Sequence, residues 1–151
     1  MNRQVILDQL KQDLNDNLHS GKGYKSDPVE ILEGLSNFSN IIQRPIVGYL
    51  MQSDTINTEY MGMGDDSLDD EENERERIMT IILFGQEDVS YGNYTPLYDL
   101  IHDVEKFMMS SDWTYYKTTK LGDTALWVNE VDFNQAYFTV EINVWYTQNL
   151  D

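Results

Sequence analysis

Toward its end the chain alternates apolar and polar positions more strictly than anywhere else. Phe138, Val140, Ile142, Val144 and Tyr146 fall on one side of an extended backbone, and Tyr137, Thr139, Glu141, Asn143 and Trp145 on the other. A period of two, rich in β-branched and aromatic residues, predicts a half-buried strand. A similar run precedes it, so Thr124–Thr147 is expected to form a long hairpin around Asn134-Gln135. Its apolar face needs a cover, and the earlier pattern supplies one.

Over residues 2–19, Ile6 or Leu7, Leu10, Leu14 and Leu18 recur at spacings of three and four, predicting an amphipathic helix stopped by Gly21 and Gly23. Asp27, Pro28 and Glu30 then form a helix-start pattern, so a short turn of helix is expected through Val29, Leu32 and Leu35. Arg44-Pro-Ile-Val-Gly-Tyr-Leu reads as a strand over 45–53, with Pro45 where no ladder donor is lost. The near-continuous apolar run at 77–85 predicts a central strand paired with it. Leu97, Leu100, Ile101, Val104, Phe107 and Met108 make the strongest helical stripe, over Thr95–Met109, with Thr95 as cap and Pro96 at the first position. Trp113–Lys120 reads as a short strand or an irregular approach, and Gly122-Asp123 as a turn.

The order helix, strand, strand, helix, strand, strand predicts one α+β domain over 1–151. Its sheet is expected to be roughly four-stranded and mainly antiparallel, with two main helices packed on one face. A crossover between the second and third strands leaves room for one parallel pair. Residues 54–76 interrupt the pattern with a long polar loop that no period organises. Between 65 and 77 it carries eight acids against two arginines. Like-charge repulsion there predicts an extended, partner-seeking tip built on Asp65, Asp66, Asp69, Asp70, Glu71 and Glu72.

Charge sharpens the functional picture more than any other compositional feature. The 151 residues hold 27 acids and 10 lysines and arginines, a net charge of −17. Such a field repels phosphate and anionic lipid, which argues against ordinary nucleic-acid or membrane-surface binding. It suits a basic partner, or a surface past which DNA slides without sticking. No apolar run approaches the ~18 residues of a membrane span, and the first ten residues lack a secretory pattern, so a soluble protein made in the cytoplasm is expected. Cysteine is absent, which removes disulfides, thiol catalysis and the common structural zinc sites.

Candidate chemistry is sparse. Asp65, Ser67, Asp69, Glu71, Asn73 and Glu76 match the ligand spacing of a calcium-binding loop, but Asp70 stands where the turn needs glycine and Glu72 where an apolar anchor belongs. A solvated loop is the expectation. His19 sits at a fraying helix end and His102 beside the helical stripe, both read as structural or solvent-facing. Gly21-Lys-Gly and Met61-Gly-Met-Gly lack the strand–loop–helix setting of a phosphate loop, and no nucleophile elbow is present. No catalytic residue, cofactor or metal ligand is therefore assigned. A small enzyme of unknown reaction would need a pocket of convergent polar groups, and a DNA-mimicking inhibitor would need its acids in regular rows instead of clumped at 65–76.

Aromatic residues on the wet side of the strands are more informative. Trp127, Tyr137 and Trp145 lie on the hairpin, and Trp113, Tyr115 and Tyr116 on its approach. They are covered either by the chain's own elements or by a neighbour. With an N-terminal amphipathic helix, a Pro-led strand (Arg44-Pro-Ile-Val-Gly-Tyr-Leu), a charged tip before Ile78-Met-Thr-Ile-Ile-Leu-Phe, a long helix and a closing hairpin ending in Val-Trp-Tyr, the chain resembles the tail-terminator (tail-completion, head–tail joining) proteins of tailed bacteriophages. The resemblance implies a non-enzymatic virion protein of the tail or neck. It would form a ring, usually sixfold, that caps the tail tube and joins it to the head connector, with DNA passing through. Its partners would be copies of itself, the tube protein and the neck proteins. Trp113, Tyr115, Tyr137 and Trp145 are then the expected subunit or tube contacts.

Overall fold

The computed structural model of the protein describes residues 2–34, 45–56, 74–89, 93–128 and 135–149. Among them run two α-helices, α1 (Arg3–Asn17) and α2 (Thr95–Met108). Five strands accompany them: β1 (Glu30–Glu33), β2 (Ile46–Ile56), β3 (Glu74–Asp88), β4 (Thr119–Val128) and β5 (Gln135–Asn149). The strands form one mixed sheet in the order β1-β2-β3-β5-β4. β1 lies parallel to β2, and every other neighbouring pair is antiparallel.

The α+β class, the central position of the 77–85 run and the closing hairpin stand as expected. The strand number does not. The segment expected as a short helix through Val29 and Leu32 is instead β1, so the sheet has five strands and gains its parallel pair there. Backbone pairing explains the difference. The Glu30 N–H bonds Pro45 O at 2.9 Å and the Gly34 N–H bonds Tyr49 O at 3.0 Å, so β1 satisfies one side of β2. Asp27, expected to cap that helix, accepts a hydrogen bond from Ser20 Oγ at 2.6 Å. The strands from 45–53 and 77–85 also run further than expected, to Ile56 and from Glu74.

Both helices lie on the same face of the sheet. Ile6, Leu10, Leu14 and Leu18 from the first join Leu97, Leu100, Val104, Phe107 and Met108 from the second in one apolar cluster. Val47 and Tyr49 of β2, Met79, Ile81 and Leu83 of β3, and Phe138, Val140, Ile142 and Val144 of β5 complete it. Each fully buried aliphatic or phenyl side chain here contributes about 1.5–3 kcal/mol. The alternation read in β5 is reproduced without a break: positions 136 to 146 are buried at every even number and half-buried at every odd one.

Two irregularities decide what faces where. A bulge at Gln52 shifts the β2 register between Met51 and Ser53, so odd residues face the helices before it and Asp54 does so after it. Gly122-Asp123, expected as a turn, is a bulge inside β4, where the register shifts between Leu121 and Thr124. A Cβ on Gly122 would stand 3.1 Å from Glu141 O, so the close approach suits glycine. The start of α2 also moves by one residue: Tyr94 flanks the helix and Thr95 is its first residue, with its N–H bonded to Asn93 Oδ1 at 3.3 Å.

Candidate interaction surface

Register carries the residues of the sheet face that no described helix covers into rungs. Ile46, Gln86 and Tyr137 form one, and Gly48, Phe84, Thr139 and Ala125 the next. Leu50, Ile82 and Glu141 follow, then Ser53, Thr80, Asn143 and Lys120, and last Thr55, Ile78 and Trp145. The end with Ile46, Phe84 and Gln86 is buried. The opposite end is open: Leu50 is 40% exposed, and Ile78, Ile82 and Trp145 are half-buried. A strip of large apolar side chains thus lies on this face, crossed by a polar rung in which Thr80 Oγ1 donates to Asn143 Oδ1 at 2.7 Å.

The aromatic residues expected at contacts divide between this face and the interior. Trp145 and Tyr137 sit half-buried on the uncovered face. Trp113 does not join them. It is wholly buried in the chain's own core, with its indole Nε1–H bonded to Thr119 Oγ1 at 2.8 Å. Tyr115 packs edge-on against it, ring centroids 5.3 Å apart, and is half-buried beside the core. The approach to β4 is therefore a plug for the interior, and Trp113 is corrected from a contact to a core residue. The Trp127 side chain and the acidic residues Asp65, Asp66, Asp69, Asp70, Glu71 and Glu72 lie outside the described residues, as does the calcium-type spacing.

Three carboxylates that sequence reasoning passed over hold the helix-covered side together. Asp54, its side chain 3% exposed, takes Arg3 Nε at 2.9 Å, Arg77 Nε at 2.8 Å and the Tyr146 hydroxyl at 2.5 Å. Asp13 accepts from the N–H and Oγ1 of Thr114, at 2.8 and 2.7 Å, and ties α1 to the approach segment. Asp103, 1% exposed, accepts the N–H groups of Lys25 and Ser26 and ties α2 to the loop after α1. A signal for two of these existed. Asp13 and Asp103 fall three residues after Leu10 and Leu100, on the apolar stripes, where a carboxylate must be satisfied by backbone donors or destabilise the fold.

Electrostatics on this side are protective. Burial, then the hydrogen bond to Asp54, pushes the Tyr146 hydroxyl up to about 12. Burial and the Asp112 carboxylate do the same to Tyr24, also to about 12, and its hydroxyl bonds Asp112 Oδ2 at 2.5 Å. Tyr49 is pushed up to about 12 by burial and by the charges of Glu33 and Asp8, and its hydroxyl has no hydrogen-bond partner among the described residues. The Arg77 guanidinium is held still more firmly protonated by its hydrogen bond to Asp54. All these groups keep their protons at neutral pH.

No protein-family model and no curated protein matches this chain. Its chemistry must be read from geometry alone. Among the described residues, no group of three or more His, Asp or Glu side chains is arranged to hold a metal ion. His19 caps a turn, accepting the Gly21 N–H on Nδ1 at 3.2 Å, and His102 is exposed on α2. An open groove of about 380 Å³ at the start of α2 is lined by Lys25, Asp27, Glu87, Asn93, Thr95 and Asp99, among others. Lys25 bridges Asp99 there at 3.5 Å, and the lining pairs no nucleophile with a histidine. No described helix is long and apolar enough to cross a membrane. What the arrangement offers is a surface: among the described residues, a sheet with one face filled by the helices and the other partly open.

Proposed function

We propose that this chain is a non-enzymatic structural subunit of a bacteriophage virion, acting in the tail or neck. Copies assemble into a ring, sixfold as in the proteins it resembles, that caps the tail tube and joins it to the head connector. DNA passes through the centre. A different structural role in the same neck is the coarser form of this reading. The observation that carries it is the asymmetry of the sheet. Two helices fill one face, while Leu50, Ile78, Ile82 and Trp145 remain partly open on the other. Half-open aromatic and aliphatic strips are typical of protein contacts.

Charge supports the conduit. Six copies would carry about −100, a field that keeps DNA off the wall by repulsion. A ring arises from head-to-tail contacts that close by rotation. Native mass spectrometry with negative-stain imaging of the purified full chain tests the reading. Closed rings, with a mass of six subunits, are the expected result. A chain that stays monomeric at high concentration and in the presence of tail tubes overturns it.

A further inference from the structure

The chain leaves α1 through a tight turn, Ser20–Lys22, closed by Gly23 at a φ of 90°. Beyond it the chain docks along α2. Lys106 Nζ donates to Gly23 O at 3.1 Å, and the Tyr24 hydroxyl donates to Asp112, just past the end of that helix. Asp103 accepts the N–H groups of Lys25 and Ser26. Ser20 Oγ meanwhile donates to Asp27, which lines the groove at the start of α2. The turn therefore sets how α1 is joined to α2 and to that groove.

His19 stands at the pivot. Its ring lies against Gly21, where an added Cβ would meet Cε1 and Nδ1 at 3.1 Å. The Gly21 N–H donates to Nδ1 at 3.2 Å, so Nδ1 carries no proton. Nε2 is 2.9 Å from Asp16 O, a carbonyl oxygen that can only accept, so Nε2 carries one. The two contacts together select one tautomer of the neutral ring. They also join the last turn of α1 to the turn that follows it.

A second proton must go to Nδ1, which then presents an N–H to the Gly21 N–H and can no longer accept from it. The Nε2–H bond to Asp16 O survives. It gains charge assistance at the negative end of the helix dipole, where α1 has no basic residue in its last turn. The titratable groups around the turn are Asp16 on α1, Lys22 within it, Tyr24 and Asp27 beyond it, Lys106 on α2 and Asp112 past its end. We infer that His19 is a proton-operated clasp. Neutral, it holds α1 and the turn together; protonated, it stays on α1 and lets the turn go. The clasp belongs to a single copy of the chain and stands apart from the ring reading.

Imidazoles titrate between about pH 5 and 8, so NMR on the full chain across that range reads the clasp. At the upper end the His19 ring nitrogens should give the long-range coupling pattern of the Nε2–H tautomer. Amide exchange, corrected for the intrinsic effect of pH, should show Gly21 protection falling about fivefold by the lower end. The amides of Val140 and Ile142 in β5 should keep theirs. H19N should hold Gly21 protection constant over the same range, because an asparagine oxygen caps without titrating. H19F should lose that protection at every pH. An Nδ1–H tautomer, Gly21 protection indifferent to pH in the wild-type chain, an equal fall in H19N, or full protection in H19F overturns the clasp. A fall shared by the β5 amides is general unfolding and overturns it too.

Discussion

The two faces of the sheet are made from the same strands and differ in almost every other respect. On the helix-covered face, Met79, Ile81 and Leu83 of β3 and Phe138, Val140, Ile142 and Val144 of β5 are large, apolar and buried, and Asp54 and Asp103 at its margins each accept several donors. On the other, the rungs mix Thr, Asn, Glu and Lys with Leu50, Ile78, Ile82 and Trp145, and burial falls from one end to the other. The difference teaches where stability and recognition reside. One face holds the fold together, and its side chains have no freedom to be anything else. The other can change without unfolding the protein, which makes it available for contact.

Substitutions on the two faces should therefore have different consequences. The largest expected effect is Phe138→Ala. The Phe138 ring lies over Gly85 in the centre of the covered face, close enough that a Cβ on that glycine would fall 2.3 Å from it. Its loss should cost about 3–5 kcal/mol in urea unfolding. Asp103→Ala comes next. It strands the part-buried N–H of Lys25 and the buried N–H of Ser26, and should cost about 2–4 kcal/mol by the same measurement.

Gly48→Ala probes the uncovered face at its buried end. Phe84 lies over Gly48 as Phe138 does over Gly85, and the new Cβ would meet its ring at 2.5 Å. The expected loss is about 1–3 kcal/mol. Trp145→Ala, at the open end of the same face, should lower monomer stability by no more than about 2 kcal/mol. Its main effect should be on association, read by sedimentation. If it instead destabilises the monomer as much as Phe138→Ala, the distinction between the faces fails.

The smallest effect at neutral pH belongs to Tyr49→Phe, which removes a buried hydroxyl that has no partner among the described residues and should leave stability within about 0.5 kcal/mol. Its consequence emerges in alkali. Folded Tyr24, Tyr49 and Tyr146 hold their protons to about 12 against an ordinary value of 10.0. Their contribution is thus intact below pH 10 and is lost as pH rises toward 12, because the unfolded chain releases protons that the folded one retains. Urea titrations between pH 9 and 11.5 should show stability falling, less steeply in the Tyr49→Phe variant.

The elements that could be read from the sequence were those with an uninterrupted period. β5 shows its alternation over ten residues, α2 its stripe over twelve, and both have the expected covered face. β1 was hidden because Asp27-Pro28-Val-Glu imitates a helix start within four residues. The competing term, an unpaired side of β2, is invisible until β2 has a place in the sheet. Trp113 was misread for a related reason. It lies in a segment with no period, so nothing local says which way its indole turns, and long-range packing decides. The bulges at Gln52 and Gly122-Asp123 reverse facing partway along a strand, which a fixed alternation cannot anticipate.

The register of β3 and β5 also has a mechanical meaning. These central strands pair along fifteen successive positions, whereas β1 is held to β2 by four. A pull along β3 loads its ladder to β5 in shear, so that the rungs share the force and must give together. A pull on β1 across the sheet opens its rungs one at a time. The molecule is stiff along its strands at the centre and weak at one margin, and a tension carried through β3 would reach the rest of the chain before the sheet yielded.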